Sequence, residues 1–111
     1  MTVLRRFILF ISCLISSQIS AQAGLAGVEL QIHHVQGQVY MIQRPGGGGN
    51  IGALIGDDGV FLVDSLFAPM SEELVSTIRE VTDGDIRFVI NSHIHIDHVG
   101  GNQNLVDLGA V

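Results

Sequence analysis

Asn91-Ser92-His93-Ile94-His95-Ile96-Asp97-His98-Val99-Gly100-Gly101-Asn102 is the stretch on which the reading of this chain turns. Three histidines and an aspartate crowd into its centre, directly after the apolar run Phe88-Val89-Ile90. Neutral imidazole nitrogen and carboxylate oxygen are ordinary zinc ligands. Packing alone gives no reason to gather so many unpaired imidazoles in one loop. His93 and His95 stand two apart, so in extended backbone their rings project to the same side. His98 cannot share that alternation and suits a neighbouring metal. The backbone must then turn after His95, and Gly100-Gly101 permits a tight path close by. A helical path, pairing His95 with His98 and His93 with Asp97, is the alternative. The β-branched Ile94 and Ile96 and the preceding strand weigh against it.

Working upstream, Ile86 to Ile90 reads as a strand whose unbroken apolar core expects cover on both faces. Before it, Leu74, Val75, Ile78 and Val81 recur at helical spacing. Pro69 suits the first turn of that helix, Glu72 and Glu73 favour its positive end, and Asp83-Gly84-Asp85 stops it. Two alternating pairs precede the helix. Val28–Val35 and Val39–Ile42, joined at Gln36-Gly37, read as one β-hairpin. Ile51–Ile55 and Val60–Val63, joined at Asp57-Asp58-Gly59, read as a second. Between the hairpins, Arg44-Pro45-Gly46-Gly47-Gly48-Gly49-Asn50 reads as a mobile loop. It is no phosphate loop, because no Gly-Lys-Ser/Thr follows and no helix opens after it. Downstream of the histidines, Asn102 to Leu108 reads as a short helix with Gly109 as its C-cap. Ala110-Val111 then looks like the start of another strand. Elements of this kind need a second layer to bury their apolar faces, so residues 24–111 read as the N-terminal part of a larger, truncated domain.

The N-terminus has a different character. Arg5 and Arg6 precede the apolar run Phe7 to Ile15, which is too short to span a bilayer as a helix. A polar stretch follows and ends in Ala21-Gln22-Ala23, the small-x-small pattern that precedes signal cleavage. Residues 1–23 are therefore expected to be a secretory signal cut after Ala23, with an uncleaved anchor as the rival reading. Arg5-Arg6 leaves Sec and twin-arginine export both open. The expected location is periplasmic or secreted, without stable membrane association once the signal is gone. Cleavage would remove two of the five basic residues and none of the eleven acidic ones, deepening a net charge that is already −6. Such an acidic domain is not expected to bind nucleic acid or an anionic membrane. The single cysteine, Cys13, lies inside the apolar run, so disulfides and thiolate ligands are excluded from residues 24–111.

The run from Asn91 to Asn102 closely resembles the metal motif of the metallo-β-lactamase superfamily. Gly59-Val60-Phe61-Leu62-Val63-Asp64-Ser65 resembles that family's first motif, an apolar strand ending in an aspartate. The resemblance extends over most of 28–111, with strand, helix and strand in matching order. It implies a mixed α/β (α+β) fold, the N-terminal half of an αββα sandwich. It also implies two zinc ions per complete domain. His93 and His95 would bind the first, and Asp97 and His98 the second. Asp64 would brace the metal loop by hydrogen bonds; without the resemblance it reads as a strand-end turn residue. The implied chemistry is metal-assisted hydrolysis of a small-molecule substrate, zinc lowering the pKa of its water toward about 7 so that hydroxide attacks a carbonyl. Asp97 would orient the nucleophile as well as bind metal. Export points to a β-lactam first, and a thioester of the glyoxalase II type stands second. A non-catalytic metal-binding or interaction fragment is the alternative of another class.

The family's remaining ligands find no counterpart here. His33 and His34 are the only other histidines, and adjacent strand residues face opposite sides, so they read as hairpin or surface residues. With two ligands for each metal, the chain by itself is expected to bind zinc weakly and to be inactive. By position the Gly46–Gly49 loop resembles the hairpin loop that covers the site in the family, and a plain flexible linker fits its composition equally.

Overall fold

The structure, a computed structural model, describes residues 24, 25 and 27–111; the segment read as an export signal lies outside the described residues. Five strands form one sheet in the order β1 (Gln31–Gln36), β2 (Val39–Gln43), β3 (Ile51–Gly56), β4 (Gly59–Val63) and β5 (Ile86–Ile90). The first four are antiparallel neighbours, and β5 runs parallel to β4. A parallel neighbour needs a crossover. It is supplied by a 3₁₀ turn, Ala68–Met70, that leads directly into α1 (Ser71–Arg79). After β5 come α2 (Ile96–Val99) and α3 (Asn102–Asp107).

Both hairpins form, with shifted edges. β1 begins at Gln31, three residues later than the apolar run suggested, and its turn is Gly37-Gln38, with Gly37 at φ +57°. The second turn is Asp57-Asp58, and Gly59 already belongs to β4, paired with Gly56. α1 also ends early. Val81 lies beyond it and is exposed, while Met70, Leu74, Thr77 and Ile78 carry the buried side. Arg79 donates to the Gly84 carbonyl at 2.6 Å, closing the chain back over the helix end. The Glu80 amide donates to the Thr77 carbonyl and the Val81 and Thr82 amides to that of Ile78, so the helix end is satisfied by its own backbone before the acidic turn.

The core lies on one face of the sheet. Ile42, Ile51, Ala53, Val60, Leu62 and Ile86 point to the side covered by Leu66, Met70, Leu74, Ile78 and Leu105. β4 shows the alternation plainly, with Val60 and Leu62 buried and Phe61 and Val63 only half-buried. The opposite face corrects the expectation that β5 is covered on both sides: Phe88 is 45% exposed and Ile90 52%. Val39, Leu54, Phe61 and Phe88 are successive cross-strand partners and make one apolar row across four strands. Phe61 and Phe88 pack with ring centroids 5.8 Å apart. Helices α1 and α3 can screen only the side on which the crossover runs, and an apolar β5 carries its hydrophobicity on both sides regardless.

α3 ends as its glycine predicts. Gly109 adopts φ +100° and donates to the Val106 carbonyl, and Ala110 donates to that of Leu105. This is the paired hydrogen-bond pattern of a Schellman cap. Val111 then donates to the Arg87 carbonyl at 3.0 Å and accepts from the Val89 amide at 2.9 Å, a parallel bridge on the free edge of β5.

Replacing Leu62 with alanine is expected to cost about 3 kcal/mol in urea unfolding, whereas Leu54→Ala on the open face should cost under about 1 kcal/mol. Equal losses at the two sites would show that both faces are packed.

Candidate metal centre

The site forms where the chain leaves the ends of β4 and β5. Residues 64–67 pass beneath the histidine loop with two non-glycine residues in left-handed backbone, Asp64 at φ +73° and Leu66 at φ +58°. Each such residue costs of order 1 kcal/mol or more and persists only where its surroundings fix it. Here the Asp64 amide donates to the Ile90 carbonyl at 2.7 Å, the Ser65 amide to that of His98 at 2.9 Å, and the Gly101 amide to that of Leu66 at 2.9 Å. Side chains at the two glycines would collide with this segment. A Cβ on Gly100 would lie 2.9 Å from the Leu66 carbonyl oxygen, and one on Gly101 would run into that of Ser65. Gly100-Gly101 therefore serves close approach between two backbones.

Asp64 is 4% exposed and uses both carboxylate oxygens. Oδ1 accepts from the Ser92 amide at 2.7 Å, while Oδ2 accepts from the Ser92 hydroxyl and from His98 Nδ1, each at 2.7 Å. Burial is the largest single influence on this carboxyl and opposes its ionisation. The bonds from His98 and from the Ser92 amide and hydroxyl, with the attraction of a charged His98, together outweigh it and hold the pKa below the ordinary value. Asn91 and Asn102 lock the base of the loop through a reciprocal amide pair, at 2.7 and 3.1 Å. Asn91 also donates to the His98 carbonyl, and the Ser65 hydroxyl donates to Asn102 Oδ1 at 2.7 Å.

Above this base the loop follows two conformations in turn. Residues 92–95 are extended or bent, with His95 at φ −67°, ψ 147°, and a single helical turn begins at Ile96. The chain turns after His95, as the sequence predicts, and the turn takes helical form because a β-branched residue disfavours a helix only weakly. The His98 and Val99 amides both bond to the His95 carbonyl, which fixes that turn. His93 and Asp97 consequently do not share a helix.

The change of conformation creates two donor pairs. His93 Nε2 lies 3.2 Å from His95 Nδ1, and His98 Nε2 lies 3.4 Å from Asp97 Oδ2. Ligands about 2.0–2.2 Å from a tetrahedral zinc are spaced about 3.3–3.6 Å from one another, so the Asp97–His98 pair matches one edge of a zinc tetrahedron and the His93–His95 pair falls just short of one. The His93 and His98 ring centroids are only 3.9 Å apart, which makes the two pairs neighbours. Among the described residues no three donors converge on one point. His33 and His34 stay on β1, away from the cluster; His34 Nε2 donates to the Gly37 carbonyl and its ring meets Tyr40 edge-on.

Ser92 and Asn91, which the motif contains without a role of their own, and Gly49, which the sequence offers only as part of its loop, also take part in the site. The first two stand next to the histidines, yet nothing in their spacing reveals partners 28 and 11 residues away. Gly49 arrives from the glycine-rich loop. A Cβ there would lie 2.7 Å from His98 Cε1 and 3.0 Å from Nε2, so this backbone rests directly against the ring. The loop is also tied down at its start, where Arg44 donates to the Gly47 carbonyl at 2.7 Å and its guanidinium lies over the Phe67 ring.

A half-sandwich with paired histidine and carboxylate donors at the strand ends is the frame against which the family is recognised. The sequence profile of the metallo-beta-lactamase superfamily matches residues 44–111. The chain belongs to that superfamily, and its fold is the N-terminal half of the superfamily's domain. Among solved structures it is similar to a B3 metallo-β-lactamase with an active-site glutamic acid, at 23% identity and a TM-score of 0.68, covering 82% of this chain and 35% of that one. It is similar also to the MIM-2 metallo-β-lactamase, at 31% identity and a TM-score of 0.62, covering 70% and 30%. The sec-alkyl sulfatase PisA1 shares the frame at 27% identity and a TM-score of 0.60, covering 68% and 12%. The chain thus spans about a third of the length of these two lactamases. No curated protein matches it in sequence.

Because the folded pKa of Asp64 lies below its unfolded value, its contribution to stability is complete above the unfolded pKa of about 3.9 and is lost as pH falls through the folded pKa. Asp64→Asn is expected to lose about 2–4 kcal/mol at neutral pH in the metal-free protein. It should also flatten the acid limb of the stability curve. Parallel curves for the two proteins between pH 2 and 7 would remove Asp64 from this role.

Proposed function

We propose that this chain carries the metal-binding half of a di-zinc hydrolase that cleaves an amide- or ester-type carbonyl bond, with a β-lactam as first substrate. The observation that carries the proposal is the pair of donor edges, 3.2 Å for His93–His95 and 3.4 Å for Asp97–His98, set side by side in the superfamily's motif. His93 and His95 hold the first zinc in this reading, and Asp97 and His98 the second. Held by these residues, zinc would supply a coordinated water of pKa about 7 and a Lewis acid for the substrate carbonyl. The chain's own contribution is positioning. Asp64 holds the His98 ring through Nδ1 and leaves Nε2 to the metal side. Asp97, beside His98 Nε2, offers its carboxylate both to metal and to a proton of the attacking water. Gly49 brings backbone over His98 and narrows access from that side.

Two donors fill half of a zinc tetrahedron, so in this proposal the remaining ligands come from outside residues 24–111 and the isolated chain does not turn over. The likeness to B3 and MIM-2 lactamases favours a β-lactam. Export through residues 1–23, with cleavage after Ala23 and a periplasmic or secreted destination, belongs to the same proposal. A thioester is the second substrate class. A non-catalytic metal-binding fragment is the rival of another kind.

The test is zinc titration of the protein that carries this chain together with the segment supplying the remaining ligands, alongside hydrolysis of a chromogenic cephalosporin, an acyl thioester and a secondary alkyl sulfate. Two zinc ions per molecule and cephalosporin turnover, lowered at least about 100-fold by His95→Ala, are expected. Turnover of the thioester alone would move the substrate assignment. Zinc binding without turnover of any of the three would favour the non-catalytic rival.

A further inference from the structure

Ser92 occupies a position that neither packing nor metal ligation accounts for. Its hydroxyl lies 2.7 Å from Asp64 Oδ2 and 3.0 Å from His93 Nδ1. A hydroxyl has one proton to give and lone pairs to receive, and an ionised carboxylate can only accept. The bond to the carboxylate is charge-assisted and the shorter of the two, so it takes the proton. His93 must then be the donor in the other contact, from Nδ1–H to Ser92 Oγ. The opposite tautomer would set the His93 Nδ1 lone pair against the Ser92 lone pairs, or else leave Oδ2 facing an oxygen without a proton between them.

The same logic reaches the other half of the site. His98 Nδ1 donates to the same Asp64 Oδ2, which leaves Nε2 as the lone pair beside Asp97. His93, held as the Nδ1–H form, turns its Nε2 lone pair toward His95 Nδ1 at 3.2 Å, and in the metal-free chain His95 Nδ1–H can donate to it. Every proton in this series is therefore directed toward one oxygen, from His95 to His93, to Ser92 and to Asp64.

We propose that Ser92 is a positioning residue that fixes the tautomer of His93, so that a single buried carboxylate, acting directly on His98 and through the Ser92 hydroxyl on His93, presents one nitrogen lone pair to each half of the metal centre. The metal side of this statement rests on the function proposed above; the tautomers do not. Ser92 thereby couples the two halves, since moving Asp64 disturbs a ligand in each. Its backbone amide bond to Oδ1 is a separate contact that a side-chain change leaves in place.

The experiment is long-range ¹⁵N–¹H correlation of the imidazole rings in the metal-free protein at a pH where the histidines are neutral. The wild type is expected to show His93 protonated at Nδ1 and unprotonated at Nε2, with His98 alike. Ser92→Ala should release His93 to the other tautomer while His98 keeps its own, and Ser92→Thr should restore the wild-type pattern. Zinc titration of the same variants should show a 10–100-fold loss of affinity for one ion in Ser92→Ala and recovery in Ser92→Thr. A wild-type His93 protonated at Nε2, or a His93 tautomer unchanged in Ser92→Ala, would overturn the inference. The wild-type spectrum decides even if the alanine variant fails to fold. The expected tautomers, found while even the protein with the remaining ligand segment binds no zinc, would instead sink the hydrolase reading and leave the Ser92 relay standing.

Discussion

The Asp64 carboxylate is the constraint around which this end of the molecule is built. It sits at the end of a central strand, almost wholly buried, and receives three donors at 2.7 Å from two residues of the histidine loop. A buried carboxylate left without those donors would be expensive, and the donors without it would be unpaired. The left-handed backbone at Asp64 and Leu66, the bare glycines at 100 and 101, and the Asn91–Asn102 clasp all serve the same approach of two segments. Each of these local costs is intelligible only as part of that arrangement. Strain concentrated beneath a cluster of metal-type donors is what a preorganised site requires.

The sheet behaves differently from the site. Its covered face holds a continuous core running from Leu30 to Ala110, whereas the other face leaves the row Val39, Leu54, Phe61 and Phe88 partly open. Val111 already bridges to β5 on its free edge. A shallow groove lined by Leu54, Phe61, Arg87 and Phe88 lies on the open face toward the Asp57-Asp58 turn, and none of the motif histidines lines it. The ligand-type residues therefore depend on strand ends and on the covered core, not on the open row. That division explains why one compact set of hydrogen bonds can hold the donor pairs.

Much of this was legible from residue order. Both hairpins, the crossover helix, the strand before the histidines and the glycine stop at 109 follow from periodicity and turn chemistry, because those are nearest-neighbour effects. The failures have equally definite causes. β5 is apolar on both sides, so its pattern could not say which face would be left open. Val81 continues the helical spacing beyond the point where the chain had turned. The turn after His95 was legible but its helical form was not, because that form is set by hydrogen bonds to the His95 carbonyl against the weak preference of β-branched residues. Gly49 read as part of a flexible loop because its contact, the His98 ring, lies far along the chain.

The sequence by itself determined the chemistry available: imidazole and carboxylate donors in a fixed order, no thiolate within residues 24–111, and an aspartate at the end of an apolar strand. It also determined the local rule that His93 and His95 belong together. Tertiary structure decided the rest. Asp64 meets the Ser92 hydroxyl and the His98 ring across separations of 28 and 34 residues; the second bond leaves His98 Nε2 free, and the first is the proposed means of leaving His93 Nε2 free. Spacing along a chain constrains only the directions of near neighbours. Which proton goes to which atom depends on distances of 2.7 to 3.2 Å, and only the packing of β4 against β5 brings those atoms within reach.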